Sequence, residues 1–323
     1  MNIQFDTSTD GVTSSRRLHT AGAAVILALS LLIGQGCASQ ATFTSADQAV
    51  DSLVAAARSG DAGQLAKVLG PDSAEILSSG DAVADKNLLD NFLKAYDAKH
   101  QLVAGKDGAT TLVVGNSDWP MPIPIAQEDG KWRFDTAAGK EEILNRRIGR
   151  NELSAIQSCL AVMDAQREYI TMDRNADGLR EYAGRFISEP GKKNGLYWPT
   201  EANEPPSPLG PLAAAAAEEG YKPGQSAGTT ARAFHGYRFR ILTSQGASAP
   251  GGAMDYLAGG KLIGGFAVVA WPADYGNSGV MTFIMSHEGV VYQRDLGDDT
   301  DKTVASMSAY DPSPDWKKVE SDK

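Results

Sequence analysis

The chain of 323 residues holds only two cysteines, Cys37 and Cys159, and four histidines. So few cysteines leave no disulfide framework, and no His/Cys cluster falls at zinc-ligand spacing. No Lys/Arg-rich run is present, and the formal net charge is -10. A nucleic-acid footprint needs clustered positive charge, so that class of partner is excluded. No apolar run reaches the roughly 20 residues that span a bilayer. There is no Ser or Cys elbow motif, and no helix follows the glycine pairs as a phosphate-binding loop requires. The 40 carboxylates are too scattered to select a hydrolytic pair. What remains is 42% apolar residues, enough for a buried core, and an acidic balance that favours solubility.

Residues 1–36 read as a secretory signal peptide. Arg16 and Arg17 form a positive n-region, Ala21 to Ile33 is uncharged and apolar, and small residues follow. Gly36-Cys37-Ala38 resembles a bacterial lipobox, in which the cysteine is acylated and becomes the new N-terminus. It departs from that pattern at Gly34, where such proteins usually carry Leu, and ordinary cleavage after Gly36 or Ser39 also fits. The expectation is an exported protein of the periplasm or outer membrane, with Cys37 as the lipidation residue and no other membrane contact.

Residues 37–45 form a tether and 46–140 an α+β module. Val50, Leu53, Val54 and Ala57 keep helical spacing to a break at Gly60-Asp61, and Gly70-Pro71 stops a second helix. Leu88, Leu89, Phe92, Leu93 and Tyr96 mark another. Strands are expected at Thr110 to Val114, Ile123 to Gln127 and Lys131 to Asp135. The last two flank Asp129-Gly130, a strong hairpin signal that places Trp132 and Phe134 on one face. Helices followed by a curved antiparallel sheet look like the NTF2-like superfamily, whose sheet wraps a pocket.

A second α+β module is expected over 141–310, with a tail at 311–323. Its long helix, Glu141 to Ile170, carries a stripe of Ile156, Cys159, Leu160, Met163 and Ile170, with a break or kink at Gly149. Residues 196–224 read as a proline-rich surface excursion holding a short helix at Leu212 to Glu219. Tyr237, Phe239 and Ile241 alternate with Arg238 and Arg240 as a half-buried strand. Gly264 to Trp271 and Val280 to Met285 are more continuously apolar, hence central strands.

The segments TAAGKEEILNRRIGRNE, REYA, GLYWP, PPSPLGPL, GYRFRILTSQG, PGGAMDYLAGGKLIGGFAVVAWPADYGNSGVMTFI and GVVYQRDLG together resemble the bacterial family called domain of unknown function 2950. The resemblance runs from about Ala46 to Thr303 and implies an exported protein, with no activity or catalytic residues to carry over. Asn151-Glu152, Ala165 to Tyr169, Gly236-Tyr237, Ala270-Trp271-Pro272 and Gly279 to Gly289 look like the soluble half of pilins and pseudopilins. That likeness implies a helix packed on an antiparallel sheet.

Three places could carry chemistry. Asp173-Arg174-Asn175-Ala176-Asp177-Gly178 has the D-x-N-x-D-G start of a calcium loop, with the Leu179 carbonyl and Glu181 as further ligands. The bidentate Glu expected twelfth is replaced by Gly184, and an Asp/Asn/Gly turn ending the helix is the competing reading. Trp119, Met121 and Trp132 are candidates to line a ligand pocket in the first module, with core packing as the alternative. Asp295 to Asp301, DLGDDTD, reads as a cation site or as a solvated acidic turn. Cys159 on its apolar face reads as a small buried hydrophobe. His287 beside Glu288 reads as a turn residue, because neighbours on a strand point oppositely. The expectation is a non-catalytic envelope protein that binds a partner or small ligand. An envelope hydrolase, with calcium as the candidate cofactor, and a pilin-like assembly factor are the alternatives.

Overall fold

Local capping sets out the first helices. The computed structural model describes residues 40–320 apart from 106–107, 202 and 223–232, so the segment expected to be a signal peptide and the candidate lipidation residue Cys37 lie outside the described residues, as do Pro223 of the excursion and the end of the tail. Ser45 caps α1 (Ala46–Ser59) by accepting from the Gln48 N–H, and Gly60 ends it at φ 67° in the left-handed region. Asp61 caps α2 (Ala62–Leu69), a short turn leads into α3 (Ala74–Leu77), and Asp81 caps α4 (Ala82–Ala98).

The first sheet follows as β1 (His100–Ala104), β2 (Thr110–Val114), β3 (Trp119–Pro120), β4 (Ile125–Glu128) and β5 (Lys131–Phe134). Its order is β1-β2-β4-β5, with β3 also paired to β2. The Asp129-Gly130 turn has positive φ at both residues, 51° and 76°, which the two-residue hairpin demands. It pairs Gln127 with Trp132 and Ile125 with Phe134, so Trp132 and Phe134 share the face turned to the core. Val50, Leu53 and Val54 of α1 and Leu65 and Val68 of α2 fill that core with Leu112, Val114, Ile125 and Phe134.

One helix joins the two sheets. α5 (Thr136–Tyr169) runs 34 residues, starting earlier than the apolar pattern suggests because Asp135 caps it at Ala138. Gly139 is required inside its first turn, where a Cβ would lie 2.6 Å from the Pro122 carbonyl oxygen. The break expected at Gly149 is absent, and α5 passes through it unbroken. A mid-helix glycine costs only about 1 kcal/mol, and side-chain bonds from Arg147, Asn151 and Glu152 hold the helix on either side. The stripe is also displaced. Cys159 and Met163 are buried with Ala155, Val162 and Gln166, whereas Leu160 is 43% exposed on the far side. Gln166 is accommodated in the core because the Ala183 backbone satisfies both ends of its amide, each at 2.8 Å.

The segment after α5 is more than a surface excursion. Leu196 and Trp198 are buried against the α5 side of the second core, ahead of α6 (Gly210–Glu218). Then come β6 (Tyr237–Leu242), the short pairs β7 (Ser244–Gln245) with β8 (Met254–Asp255) and β9 (Leu257–Ala258) with β10 (Lys261–Leu262), then β11 (Ala267–Pro272), β12 (Met281–Ser286), β13 (Val291–Asp295), α7 (Thr300–Ser306) and β14 (Lys317–Lys318). The second sheet is antiparallel in the order β14-β13-β12-β11-β6. Val268, Ala270, Phe283 and Met285 face α5, and the alternate residues Leu242, Ala267, Val269 and Ile284 pack with Val304, Tyr310 and Trp316. Burial on both faces explains the continuous apolar runs of β11 and β12. The chain is an α+β protein, and among the described residues no helix is long and apolar enough to cross a membrane.

Candidate functional site

The loop between β11 and β12 is built by α5. Asp274 accepts from the Ser278 N–H at 2.8 Å through its carbonyl, and its own N–H donates to the Ser278 hydroxyl at 3.0 Å. Asn151 on α5 donates to the Ser278 carbonyl at 2.8 Å, and the Glu152 carboxylate accepts from the Val280 and Met281 N–H groups at 3.1 and 3.0 Å. Below the loop, the buried Arg147 guanidinium donates to the carbonyls of Glu75 (2.8 Å) and Ile76 (2.5 Å) and to the Asn277 side-chain oxygen. The Asn277 amide nitrogen donates to the Ser78 carbonyl (2.7 Å) and to Asp274 (2.8 Å). Burial holds the Arg147 guanidinium below the usual arginine range, opposed by the Asp85 and Asp274 carboxylates.

A second buried junction sits beside this one. Asp81 caps α4 with one oxygen and with the other accepts from the Tyr221 hydroxyl (2.8 Å) and the Gly236 N–H (3.0 Å). Burial, reinforced by Asp81, pushes the Tyr221 phenol well above its ordinary range and keeps it a donor.

On the outer side of the β11–β12 loop lies a cleft of about 250 Å³ lined by Pro272, Ala273, Asp274, Tyr275, Asp298, Thr300 and Asp301. The Tyr275 hydroxyl donates to Asp295 at 2.9 Å, which raises its pKa. Asp301 accepts from the Trp271 indole N–H at 2.8 Å and pairs with Arg238 at 3.1 Å. Asp274 is held by Asn277, whereas among the described residues Asp298 has neither an ion pair nor a side-chain hydrogen bond. The acidic run 295–301 therefore splits. Asp295 and Asp301 organise the loop, Asp299 pairs with Lys302 at the surface, and Asp298 lines the cleft.

Of the places singled out in the sequence, the acidic run 295–301 reaches the cleft through Asp298 and Asp301, and the others lie elsewhere. Met121 and Trp132 are half-buried and pack against the first core, while Trp119 is 41% exposed on β3. In the Asp173 loop, one Asp173 oxygen accepts from the Gly178 N–H at 2.7 Å, the largest cause of its lowered pKa. Asn175 donates to Glu181, Asp177 accepts from the Leu179 N–H at 3.1 Å, and the Lys261 ammonium of β10 rests on Asp177. The Leu179 side chain is 47% exposed. The loop thus brings Asp177 to an internal cation, and among the described residues no group of three or more His, Cys, Asp or Glu side chains is placed to hold a metal.

Cys159 is fully buried, and burial pushes its thiol up to about 12. His287 is half-buried with its ring edge-on to Tyr256, 5.5 Å between centroids, while Glu288 beside it is exposed. Arg147, Asn277, Asp81 and Tyr221 escaped the sequence reading. The spacing of four between Arg147 and Asn151 was the one available signal that polar groups on α5 face inward together.

The model of a family described as Protein of unknown function (DUF2950) matches residues 40–319. No curated protein and no solved structure matches the chain.

Proposed function

The chain belongs to the DUF2950 family, and we propose that it is a non-catalytic cell-envelope protein that binds a cationic group in the acidic cleft beside the β11–β12 loop. One observation carries this reading. Asp298 brings a carboxylate that is uncompensated among the described residues to a recess walled by Pro272, Ala273 and Tyr275, next to Asp274 and Asp301, whose positions are fixed by hydrogen bonds. An ammonium or guanidinium group entering there meets negative charge that is already in place, with an aromatic ring alongside. A carboxylate a few ångströms away at a half-exposed site contributes about 1 kcal/mol, roughly fivefold in affinity. The buried thiol of Cys159 and the unequal exposure of His287, half-buried, and Glu288, exposed, support recognition over turnover.

Export and anchoring follow from the leader-like residues 1–36 and from Cys37. In architecture we read residues 46–140 as NTF2-like and 141–310 as pilin-like. The helix-then-sheet order of each part supports this.

The test is a titration with spermidine, read at the Trp271 indole N–H resonance, since that group donates to Asp301 at the rim of the cleft. Saturable shifts that weaken severalfold in Asp298→Asn support the site. Shifts unchanged in Asp298→Asn point to attraction by overall charge and reject it.

A further inference from the structure

The described chain begins already fixed in place. The Gln40 side-chain amide donates to the carbonyls of Leu69 (3.0 Å) and Phe134 (2.7 Å), with a longer contact to Val68 (3.3 Å). Gly70, at φ 92°, packs so closely that a Cβ there would sit 2.8 Å from the Gln40 side chain. The Ala41 N–H then donates to the Lys67 carbonyl at 2.8 Å, and Phe43 exchanges backbone bonds with Trp132 at 2.8 and 2.9 Å. From residue 40 onward the backbone is therefore part of the fold and cannot serve as a linker.

Cys37 precedes Gln40 by three peptide units, which span at most about 11 Å when fully extended. Resting on the lipid-anchor reading above, we propose that the body of this protein is held directly against the membrane by the end where α2 finishes and α5 begins. That end is marked by Gln40, Lys67, Gly70 and the first turn of α5, where the Thr136 hydroxyl donates to the Leu69 carbonyl at 2.6 Å. The partner is a lipid headgroup surface. Acylation at Cys37 supplies the affinity, and the short reach supplies the orientation. The far end of α5 stands well away from the anchor, because a 34-residue helix is about 50 Å long.

Two engineered cysteines test this in the full chain, Ala138→Cys in the exposed first turn of α5 and Glu168→Cys in its exposed last turn. Native Cys159 does not compete for label, being fully buried with its thiol pushed up to about 12. Each variant is labelled with a fluorophore and placed in phosphatidylethanolamine/phosphatidylglycerol vesicles carrying a headgroup quencher. The label at 138 is expected to be quenched severalfold more than the label at 168. Equal quenching at the two positions, or none at 138, overturns the proposal.

A third variant carries 20 Gly/Ser residues between Ser39 and Gln40, a flexible spacer of about 25 Å root-mean-square length. It is expected to keep its acylation and to lose the quenching at 138, and undiminished quenching contradicts the tether argument. Metabolic incorporation of an alkyne fatty acid, compared with Cys37→Ser, separates the two levels. No incorporation removes the anchor and the orientation together, whereas incorporation without quenching removes only the orientation.

Discussion

Replacing Arg147 with methionine removes the buried guanidinium at the junction of α3, α5 and the β11–β12 loop. The guanidinium is 4% exposed and gives three hydrogen bonds, to the Glu75 and Ile76 carbonyls and the Asn277 side chain. Hydrogen bonds to charged groups contribute about 1.5–3 kcal/mol each, and three acceptors would lose their donor inside the protein. Against this, methionine escapes the desolvation that depresses the arginine pKa, and its thioether fills part of the same volume. The expected net loss is about 3 kcal/mol, read from the urea midpoint at constant slope. Arg147→Lys should lose nearly as much, because a single ammonium cannot reproduce the fork that reaches two successive carbonyls and Asn277. A loss below about 1 kcal/mol in both variants would refute the claim that this charge holds the loop in place.

Other consequences are simpler to measure. Gly149→Ala should stabilise the chain by about 0.5–1 kcal/mol, since α5 is continuous there and a Cβ would meet nothing within 4 Å; a destabilised variant would indicate a break. Alkaline stability should fall as pH rises above 9. The Cys159 thiol, pushed up to about 12, and the phenols of Tyr221 and Tyr237, raised mainly by burial, keep their protons in the folded state and release them on unfolding. The unfolded chain then binds fewer protons than the native one, so the slope is negative, about 1.4 kcal/mol per pH unit for each such group. A flat profile to pH 11 would contradict that burial. Millimolar calcium should leave the melting temperature of the wild type unchanged, because the Lys261 ammonium occupies Asp177, and a rise reversed by Asp173→Ala would show that the ion displaces it.

The features legible in the sequence are those set by short-range chemistry. The hairpin at Asp129-Gly130, the strand Thr110–Val114 and the doubly buried β11 and β12 all carry their own signals in turn residues or apolar runs. β1 was missed because His100–Ala104 is an exposed edge strand with no apolar alternation to announce it. Leu160 was misplaced because a true helical face passes through Ala155, Cys159, Val162 and Gln166, two of which are small and one polar. The cleft was the least legible feature. The acidic run 295–301 offers itself as a cation site, but the walls come from residues about 25 positions apart, Pro272–Tyr275 and Asp298–Asp301, and nothing in either segment reveals that Trp271, Arg238 and Asn277 use up some carboxylates and leave Asp298 without a partner among the described residues. The Asp173 loop shows the opposite case. Its local pattern is clear, yet the partner on Asp177 comes from Lys261, 84 residues away.

The most direct test of cationic-group recognition is the spermidine titration read at the Trp271 indole N–H, run on wild type and Asp298→Asn side by side. The account predicts a saturable shift in the wild type that weakens about fivefold in the variant at equal ionic strength. Identical curves for the two proteins, or no shift in either, would contradict it.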